Sequence, residues 1–519
     1  MKTDYDILIL GSGFGGSLLS MVAKRLGRSV LLLEKGRHPR FAIGESTSPL
    51  TNLLIEQLAE RYDLPRLLPL TTYGQWQKAY PEVSCGLKRG FTYYHHRVGQ
   101  PYHASPDHDN QLLVAASPND AVADTHWFRA DVDRFLMQEA IALGVDYLDE
   151  TTVTGVEWGE EGAMLTGNRQ GEIFHVRARF VVDATGPRGF LSRTLNLPEV
   201  PLPDYPPTQA LFSHFLRVRR CDEMETFRTE GTPPYAPDDA ALHHVFDGGW
   251  MWVLRLNNGV TSAGFAVKDW LAEDLRLAEG EPAWRRFLQR YPSIGEQFAE
   301  AEAVQPFVHA PRLSYRCSDA AGPGWAMLPS AAGFLDPLFS TGFPLALLGI
   351  ERLGRILAEA WETPAFADRL QEYAQITLGE IDATSRLIAG SYATFHNFPR
   401  FADYAMFYFA AASFSEMARR LGKGELVRRY LAADHPTFGP ALRECGRRLQ
   451  QAEREGMVID GEFAQGVAAG IAPLNIAGLC DSGKQNWYPV DLNDLILEAA
   501  KLEHTPDQMR QILAVAPWA

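Results

Sequence analysis

Short apolar runs and one glycine-rich turn dominate the first forty residues of the chain. Residues 5–10 are mostly apolar, residues 30–33 are wholly aliphatic, and a helical pattern of apolar positions lies between them and ends at Leu26. Apolar runs of this length are typical of strands that are buried on both faces of a parallel sheet. The pattern therefore predicts a strand–helix–strand unit at the start of the chain.

Later apolar segments predict a second sheet and a helical end. Five segments have the length and composition of strands, and they are residues 87–94, 211–218, 243–246, 250–256 and 260–267. Their spacing favours an antiparallel sheet. After about residue 376 the apolar period becomes helical, for example over 401–421, 424–433 and 440–455. The predicted fold class is α/β (α+β overall), with a parallel sheet, an antiparallel sheet and a helical C-terminal region.

The charge balance excludes several classes of partner. The chain has 49 Lys and Arg against 64 Asp and Glu, a formal net charge of -15. A phosphate backbone needs a basic surface, so we expect no nucleic acid partner. No apolar run approaches the 18 or so residues of a membrane span, and we expect none. Five cysteines lie far apart without a Cys-x-x-Cys pair, which predicts no metal site and a cytoplasmic location.

The turn after the first apolar run has the spacing of a dinucleotide-binding loop. Gly11 permits the tight turn, Gly13 lets the backbone approach a pyrophosphate, and Gly16 lets the following helix pack closely on the strand. Phe14 lies in the same turn. Glu34 ends the second apolar run, where a carboxylate accepts hydrogen bonds from a ribose. Strand, glycines, helix, strand and acid in this order predict a Rossmann-type nucleotide site.

Three further segments resemble the FAD-containing monooxygenase superfamily. Residues 178–186 resemble its second nucleotide-contacting strand and end in Ala184, Thr185 and Gly186. Residues 129–135 resemble its arginine-containing helix start, and 328–337 resemble its third FAD motif, with Pro-Ser in place of Gly-Asp. The resemblance implies FAD rather than NAD as cofactor, with Arg129 and Asp336 also near the flavin. The implied FAD domain is discontinuous (1–75, 105–200 and 305–375), with a substrate-side sheet region at 76–104 and 201–304 and a helical region at 376–519.

Four segments together resemble the flavin-dependent halogenases, in particular their phenol and pyrrole branch rather than the tryptophan branch. They are Gly-Glu-Ser-Thr-Ser-Pro at 44–49, the lysine strand at 85–94, Trp-x-Trp at 249–255 and Asp-Pro-Leu-Phe-Ser-Thr-Gly at 336–342. Phe339 stands where the tryptophan branch carries a glutamate. The chain departs from the family pattern at Leu254 and Arg255, which replace Ile-Pro.

The halogenase resemblance implies a reaction and the residues that carry it. Reduced FAD, O2 and chloride or bromide give hypohalous acid, and Lys88 relays its halogen to an electron-rich aromatic substrate, free or carrier-bound, in secondary metabolism. The lysine acts as a hydrogen-bond donor or as a haloamine. A separate NAD(P)H-dependent flavin reductase supplies the reduced FAD. The implied residues are Glu45, Ser46 and Thr47 along the flavin, Ser340, Thr341 and Gly342 for halide, and Trp250, Trp252 and Phe339 between flavin and substrate.

Other interpretations of the same residues remain open at this point. Lys88 is also compatible with an exposed strand lysine, Lys78 with the family lysine, and the tryptophan pair with a simple core. The alternative enzymes are an FAD-dependent monooxygenase that acts directly through the flavin hydroperoxide, and a geranylgeranyl-reductase-like flavoprotein. A halide requirement separates the halogenase from the monooxygenase, and oxygen independence selects the reductase.

Overall fold

The computed structural model describes residues 4–202, 204–457, 459 and 461–516. Its strands are β1 (Asp4–Leu10), β2 (Val30–Leu33), β3 (Cys85–Lys88), β4 (Gly90–His96), β5 (Gln111–Ala115), β6 (Asp124–Trp127), β7 (Asp146–Leu148), β8 (Thr151–Gly159), β9 (Gly162–Arg169), β10 (Glu172–Asp183), β11 (Thr208–Leu216), β12 (Ala241–Phe246), β13 (Gly249–Arg255), β14 (Thr261–Lys268), β15 (Glu302–Ala303), β16 (Val308–Ala310), β17 (Tyr315–Arg316), β18 (Ala321–Gly322), β19 (Trp325–Met327), β20 (Gly333–Phe334) and β21 (Trp487–Tyr488).

The α-helices alternate with these strands at first and then follow one another. They are α1 (Phe14–Arg25), α2 (Pro49–Arg61), α3 (Tyr73–Ala79), α4 (Arg129–Ala142), α5 (Phe190–Thr194), α6 (Asp269–Leu275), α7 (Glu281–Arg290), α8 (Pro292–Gln297), α9 (Pro329–Ala332), α10 (Gly342–Glu359), α11 (Ala365–Tyr392), α12 (Phe398–Arg420), α13 (Phe438–Glu455), α14 (Glu462–Ile471), α15 (Leu492–Leu497) and α16 (Pro506–Leu513). Among the described helices, none combines the length and the apolar character that a bilayer crossing requires.

The first sheet confirms the predicted parallel unit. Its strand order is β18-β19-β10-β1-β2-β7, and every neighbouring pair from β19 to β7 is parallel. β1 and β2 are almost entirely buried, which explains their continuous apolar runs. β8 and β9 extend β10 as an antiparallel hairpin. The glycine-rich turn joins β1 to α1 at the carboxyl edge of this sheet, where open α/β sheets bind nucleotides.

The second sheet is antiparallel over most of its width. Its order is β15-β11-β14-β13-β12-β4-β5-β21, and β4–β12 and β5–β21 are parallel pairs. The expected single strand over 87–94 divides into β3 and β4, and β3 pairs with β6 outside the large sheet. The division falls at Arg89, whose backbone N–H donates to Asp239 O at 2.7 Å while its carbonyl accepts from Ala116 N at 2.8 Å.

Helices α10 to α14 pack against one another, and α11 and α12 contact β18 of the first sheet and β5 of the second. The helix expected over 424–433 was wrong, because the structure has two 3₁₀ turns there, Gly424–Leu426 and Tyr430–Ala432. Leu431 and Ala432 have φ angles of 56° and 47°, and a right-handed helix does not continue through left-handed residues. β21 joins the C-terminal region to the second sheet through its pairing with β5. The last third of the chain therefore contributes a strand to the second sheet.

Candidate active site

A large cavity of 520 Å³ lies between the two sheets, a size typical of ligand-binding clefts. Most of the residues that the sequence assigned to cofactor, halide or substrate line it, namely Gly13, Phe14, Glu45, Ser46, Arg129, Ala184, Thr185, Gly186, Trp250, Trp252, Ser340, Thr341 and Gly342. The other assigned residues do not line it, and they are Gly11, Gly16, Glu34, Thr47, Lys88, Asp336 and Phe339. The motifs therefore converge on one cavity from distant parts of the chain.

The glycine turn is tight because the backbone leaves no space for side chains. Gly11 has a φ of +94°, and a Cβ on Gly16 would lie 1.9 Å from the carbonyl oxygen of Gly11. A Cβ on Gly13 would lie 3.4 Å from the guanidinium of Arg40 and 3.6 Å from that of Arg129. The turn thus presents the start of α1 and two guanidinium groups to the large cavity, an arrangement that suits a pyrophosphate.

Glu34 is buried at the end of β2 with both carboxylate oxygens engaged. Oε2 accepts from Ser12 N and Ser12 Oγ, both at 3.0 Å, and Oε1 accepts from Gly36 N at 2.9 Å. Burial raises the pKa of Glu34, but Arg40 and these hydrogen bonds outweigh it and hold the pKa below its ordinary value. A carboxylate has about four acceptor positions, so one remains for a ribose hydroxyl.

Arg129 ties the start of α4 to the loop that precedes α2. Its guanidinium donates to both carboxylate oxygens of Asp133 at 2.8 Å and to the carbonyls of Ile43 and Gly44 at 3.0 and 2.9 Å. Its guanidinium carbon lies 5.2 Å from the ring centroid of Phe14, within cation–π range. Arg129 therefore holds two segments of the cavity wall together, the start of α4 and the loop of residues 43–44.

Glu45 and Ser46 bring unpartnered polar atoms to the large cavity, and such atoms suit a polar cofactor. Glu45 Oε1 lies 2.8 Å from His214 Nε2 on β11. Glu45 Oε2 and Ser46 Oγ are buried, line the large cavity and have no hydrogen-bond partner among the described residues. Buried polar atoms without a partner cost stability, so they indicate a bound group that satisfies them. Together with the glycine turn, these atoms give the large cavity the hydrogen-bonding groups that a dinucleotide cofactor needs.

Asp336 holds the loop of residues 336–342 from behind the cavity wall. Its carboxylate accepts from Trp250 Nε1 at 3.0 Å, from Tyr392 OH at 2.6 Å and from Leu338 N at 3.0 Å. Burial raises the pKa of Asp336 to about 6, although these donors oppose it. The residue was expected beside the flavin, and the structure places it between β13 and α11 instead.

The end of the same loop faces the large cavity. Ser340 has a φ of 55°, and Thr341 precedes the 18 residues of α10. A Cβ on Gly342 would meet nothing within 4 Å, so the first turn of α10 opens onto free space. Free backbone N–H groups at a helix start attract anions. The loop is therefore compatible with a halide.

Lys88 is fully buried, so its interpretation as an exposed strand lysine was wrong. Its ammonium donates to the carbonyl of Thr47 and lies 3.5 Å from Ser340 Oγ, and the Nζ atom lies 3.9 Å from the ring centroid of Phe91. Burial lowers the pKa of Lys88, and the charge of Asp124 opposes this effect. Lys78, the alternative family lysine, is exposed on α3.

A small cavity of 170 Å³ is lined by Phe91, the ring that Lys88 Nζ approaches. Phe91 lines it together with side chains from α12 and from residues 476–495, and its polar wall includes Ser413, Glu416 and Asp491. Phe339 stacks on Tyr408 of this wall, with ring centroids 4.7 Å apart. The amine of Lys88 thus contacts a residue of each cavity. Sequence reasoning missed this second cavity, because its residues form no motif.

Comparison with known proteins decides the family. The family model described as tryptophan halogenase matches residues 119–397. The chain belongs to the flavin-dependent halogenase family. It is 32% identical over 400 residues to monodechloroaminopyrrolnitrin halogenase PrnC of Pseudomonas fluorescens (76% of this chain, 69% of that one) and 30% identical over 403 residues to tetracycline 7-halogenase of Kitasatospora aureofaciens (76% and 71%).

A solved halogenase has the same fold. The structure of halogenase PltM in complex with phloroglucinol and FAD superposes with a TM-score of 0.81 at 25% identity, covering 93% of this chain and 99% of that one. The protein is thus an FAD-dependent oxidoreductase of the halogenase type with halide as co-substrate. Bound FAD, when reduced, supplies with O2 the oxidising equivalents that turn halide into hypohalous acid. The chain must bind the cofactor, hold the halide and direct the product.

Proposed function

We propose that Lys88 carries the halogen from the large cavity to an aromatic ring bound in the small cavity. One observation carries this proposal: the buried Nζ atom lies 3.5 Å from Ser340 Oγ, on the wall of the large cavity, and 3.9 Å from the ring centroid of Phe91, on the wall of the small one. A buried ammonium is a compact donor that also loses its proton readily. Both properties suit a group that captures and passes on an electrophile.

The assignment of the large cavity to FAD and halide is part of this proposal. Glu45 Oε2 would accept a hydrogen bond from the cofactor, and Ser46 Oγ would donate one to it. The glycine turn and Arg40 would hold its pyrophosphate, and Glu34 would accept a hydrogen bond from its ribose. Ser340, Thr341 and Gly342 would hold the halide at the start of α10. Trp250 and Trp252 of β13, with ring centroids 5.6 Å apart, would form the part of the second sheet that faces the flavin.

The small cavity indicates the size and character of the substrate. Its volume of 170 Å³ suits one aromatic ring, since a cavity of about 150 Å³ accommodates benzene. Phe91, Tyr408 and Phe409 provide aromatic walls, and Glu416 offers an acceptor for a phenol O–H or a pyrrole N–H. We therefore infer a free, electron-rich, single-ring phenol or pyrrole as substrate. Residues 376–519 would serve as its binding wall.

Two further inferences concern the cellular setting. We infer that a separate NAD(P)H-dependent flavin reductase supplies the reduced FAD, because the sequence holds only one dinucleotide fingerprint and FAD uses it. We infer a cytoplasmic location, because all five cysteines are unpaired, which suits a reducing compartment.

The experiment supplies reduced FAD, O2 and bromide or chloride with a panel of phenols, pyrroles and indoles, and mass spectrometry reads halogen against oxygen in the product. We expect halogenated single-ring phenols or pyrroles, with a strict need for halide. Lys88→Ala should lower their formation by about 10²–10⁴-fold, as for a group that acts in every turnover, and Lys88→Arg should restore little. Oxygenated product without a halide requirement would refute the proposal in favour of a monooxygenase.

A further inference from the structure

A buried carboxylate lies opposite Lys88 on the neighbouring strand. β3 and β6 form a two-stranded antiparallel ribbon in which Lys88 pairs with Asp124. Directly paired residues of such a ribbon place their side chains on the same face, with Cβ atoms about 5 Å apart. Both side chains are buried. A buried lysine and a buried carboxylate this close act on each other's charge state, because little water screens them.

The hydrogen bonds of Asp124 leave one of its oxygens free. Oδ1 accepts from Asn52 Nδ2 at 2.7 Å, whereas Oδ2 has no hydrogen-bond partner among the described residues. The Lys88 ammonium donates to Thr47 O and Ser340 Oγ instead. The carboxylate therefore neither holds the ammonium in a tight ion pair nor has its own acceptors filled, and a proton has a vacant oxygen to occupy.

Charged and titratable groups of α12, β6 and β12 surround the pair of Lys88 and Asp124. Burial raises the pKa of Asp124, and the charge of Lys88 opposes this; Glu416 of α12 raises it and Arg420 lowers it. His126 of β6 and His243 of β12 are buried near Lys88, and burial followed by the charge of Lys88 lowers the pKa of each, so both are neutral near pH 7. Tyr408 of α12 also interacts with Asp124. The mobile proton near neutral pH thus belongs to Lys88 and Asp124.

We propose that Asp124 is the positioning residue of Lys88: the two buried groups hold one proton between them, and Asp124 takes it while the amine carries the halogen. This inference rests on the proposed function. The ammonium first turns from Thr47 O toward the unoccupied Asp124 Oδ2 and gives it a proton. The neutral amine then takes halogen from hypohalous acid: the N–X bond forms, the O–X bond breaks, and one N–H proton joins the hydroxide to give water.

The second half of the cycle returns the starting state. The N–X bond breaks, the C–X bond forms, and the ring proton restores the N–H bond of Lys88. The halogen gains two electrons, and the ring carbon loses them. Asp124 then returns its proton to the amine. Hypohalous acid and the arene are thereby converted to haloarene and water, and no further reactant is needed.

The test compares Asp124→Asn with wild type at saturating FAD, with Asp120→Asn as the control. Asp120 is a nearby exposed carboxylate that pairs with Arg89. We expect Asp124→Asn to lower kcat about 10²-fold at unchanged KM. Asn52→Ala removes the donor to Asp124 Oδ1, so the acid limb of the kcat profile should move to higher pH, and a merely structural contact would not move it. A kcat profile of Asp124→Asn that superimposes on wild type would overturn the inference.

A measurement without turnover keeps the inference testable if activity is lost for other reasons. In wild type the folded pair and the unfolded chain each hold one proton near pH 7. In Asp124→Asn the buried Lys88 is neutral and the unfolded lysine is charged, so the unfolding equilibrium constant should fall by up to tenfold per pH unit from pH 7 to 9, relative to wild type. An equal pH slope in both proteins would contradict the shared proton.

Lys88→Ala separates the failure of the two proposals. If Lys88→Ala halogenates as well as wild type does, the relay itself is wrong. If Lys88→Ala is inactive while Asp124→Asn keeps the activity and pH slope of wild type, only the role of Asp124 is wrong. If Asp124→Asn fails to fold, the shift of the acid limb in Asn52→Ala decides, and no shift would count against the inference.

Discussion

The two cavities beside Lys88 are built by different means. The large cavity combines strand residues of the second sheet with turns and loop ends, among them the glycine turn after β1, the segment after β10 and the start of α10. The small cavity is formed mainly by side chains of α12 and residues 476–495. A site that holds a fixed cofactor needs particular backbone geometry, and such geometry restricts residue types. A site that holds a ring needs volume and apolar walls, which many sequences provide.

The largest expected effect tests the backbone side of this comparison. Gly16→Ala should abolish FAD binding, because its Cβ would lie 1.9 Å from the carbonyl of Gly11 and the turn must open. The measurement is a flavin titration followed by absorbance. Gly379→Ala is the control, since Gly379 is exposed within α11 and its Cβ would meet nothing within 4 Å. Tight FAD binding by Gly16→Ala would show that the turn is not the cofactor site.

The next effect concerns the side-chain wall of the small cavity. Ala412→Phe places a ring where we expect the substrate to bind. Because a displacement of the reacting groups by about 1 Å can lower a rate about 10²-fold, kcat/KM for the aromatic substrate should fall by about that factor. The FAD affinity should not change, because Ala412 does not line the large cavity. Steady-state bromination and a flavin titration measure the two quantities. An unchanged kcat/KM would mean that the substrate binds elsewhere.

A smaller, pH-dependent effect concerns Asp336, which supports the loop of residues 336–342. Tyr392→Phe removes the hydrogen bond to Asp336, and a bond to a buried charged group contributes about 1.5–3 kcal/mol. Burial raises the folded pKa of Asp336 to about 6, above its unfolded value, so ionisation lowers stability as pH rises through this range. Without the tyrosine this loss grows. Denaturant unfolding at pH 5 and pH 8 should therefore show the larger deficit at pH 8; a constant deficit would argue against an ionised Asp336.

The smallest effect tests the polar wall of the small cavity. Glu416→Gln keeps the side-chain volume but removes the charged acceptor, so KM for a phenol should rise about tenfold, equivalent to about 1.4 kcal/mol. The same aromatic without its hydroxyl group should show no such change in KM, which is the control. Equal changes for both substrates would assign Glu416 only to its ion pair with Arg420.

The sequence predicted the backbone-built region and missed the other for a physical reason. Gly11 and Gly16 are required by backbone contacts that admit no Cβ. They belong to a local pattern that, with the flanking strands, the helix and Glu34, predicted the nucleotide site. Asp336 belonged to a recognised motif, but its direction depends on Tyr392, 56 residues away. The division of the lysine strand at Arg89 depends on partners at 116 and 239. Long-range contacts of this kind leave no local pattern.

The pairing of Lys88 with Asp124 illustrates the same limit. Lys88 was identified from its local strand pattern, whereas Asp124 begins a short strand with no motif of its own. Only the ribbon of β3 and β6 brings the two together. Likewise Phe91 and Tyr408 define the small cavity from opposite ends of the chain. A pattern read along the chain does not show which residues face one another across two elements.

The most direct test of the relay is where the halogen goes when Lys88 is absent. Reduced FAD, O2, bromide and the aromatic substrate are supplied to wild type and to Lys88→Ala, and haloarene and free hypohalous acid are measured together against flavin oxidised. We predict that wild type gives haloarene, whereas Lys88→Ala oxidises flavin at the same rate and releases the hypohalous acid into solution. Undiminished haloarene from Lys88→Ala, with no released oxidant, would contradict the claim that this lysine connects the two cavities.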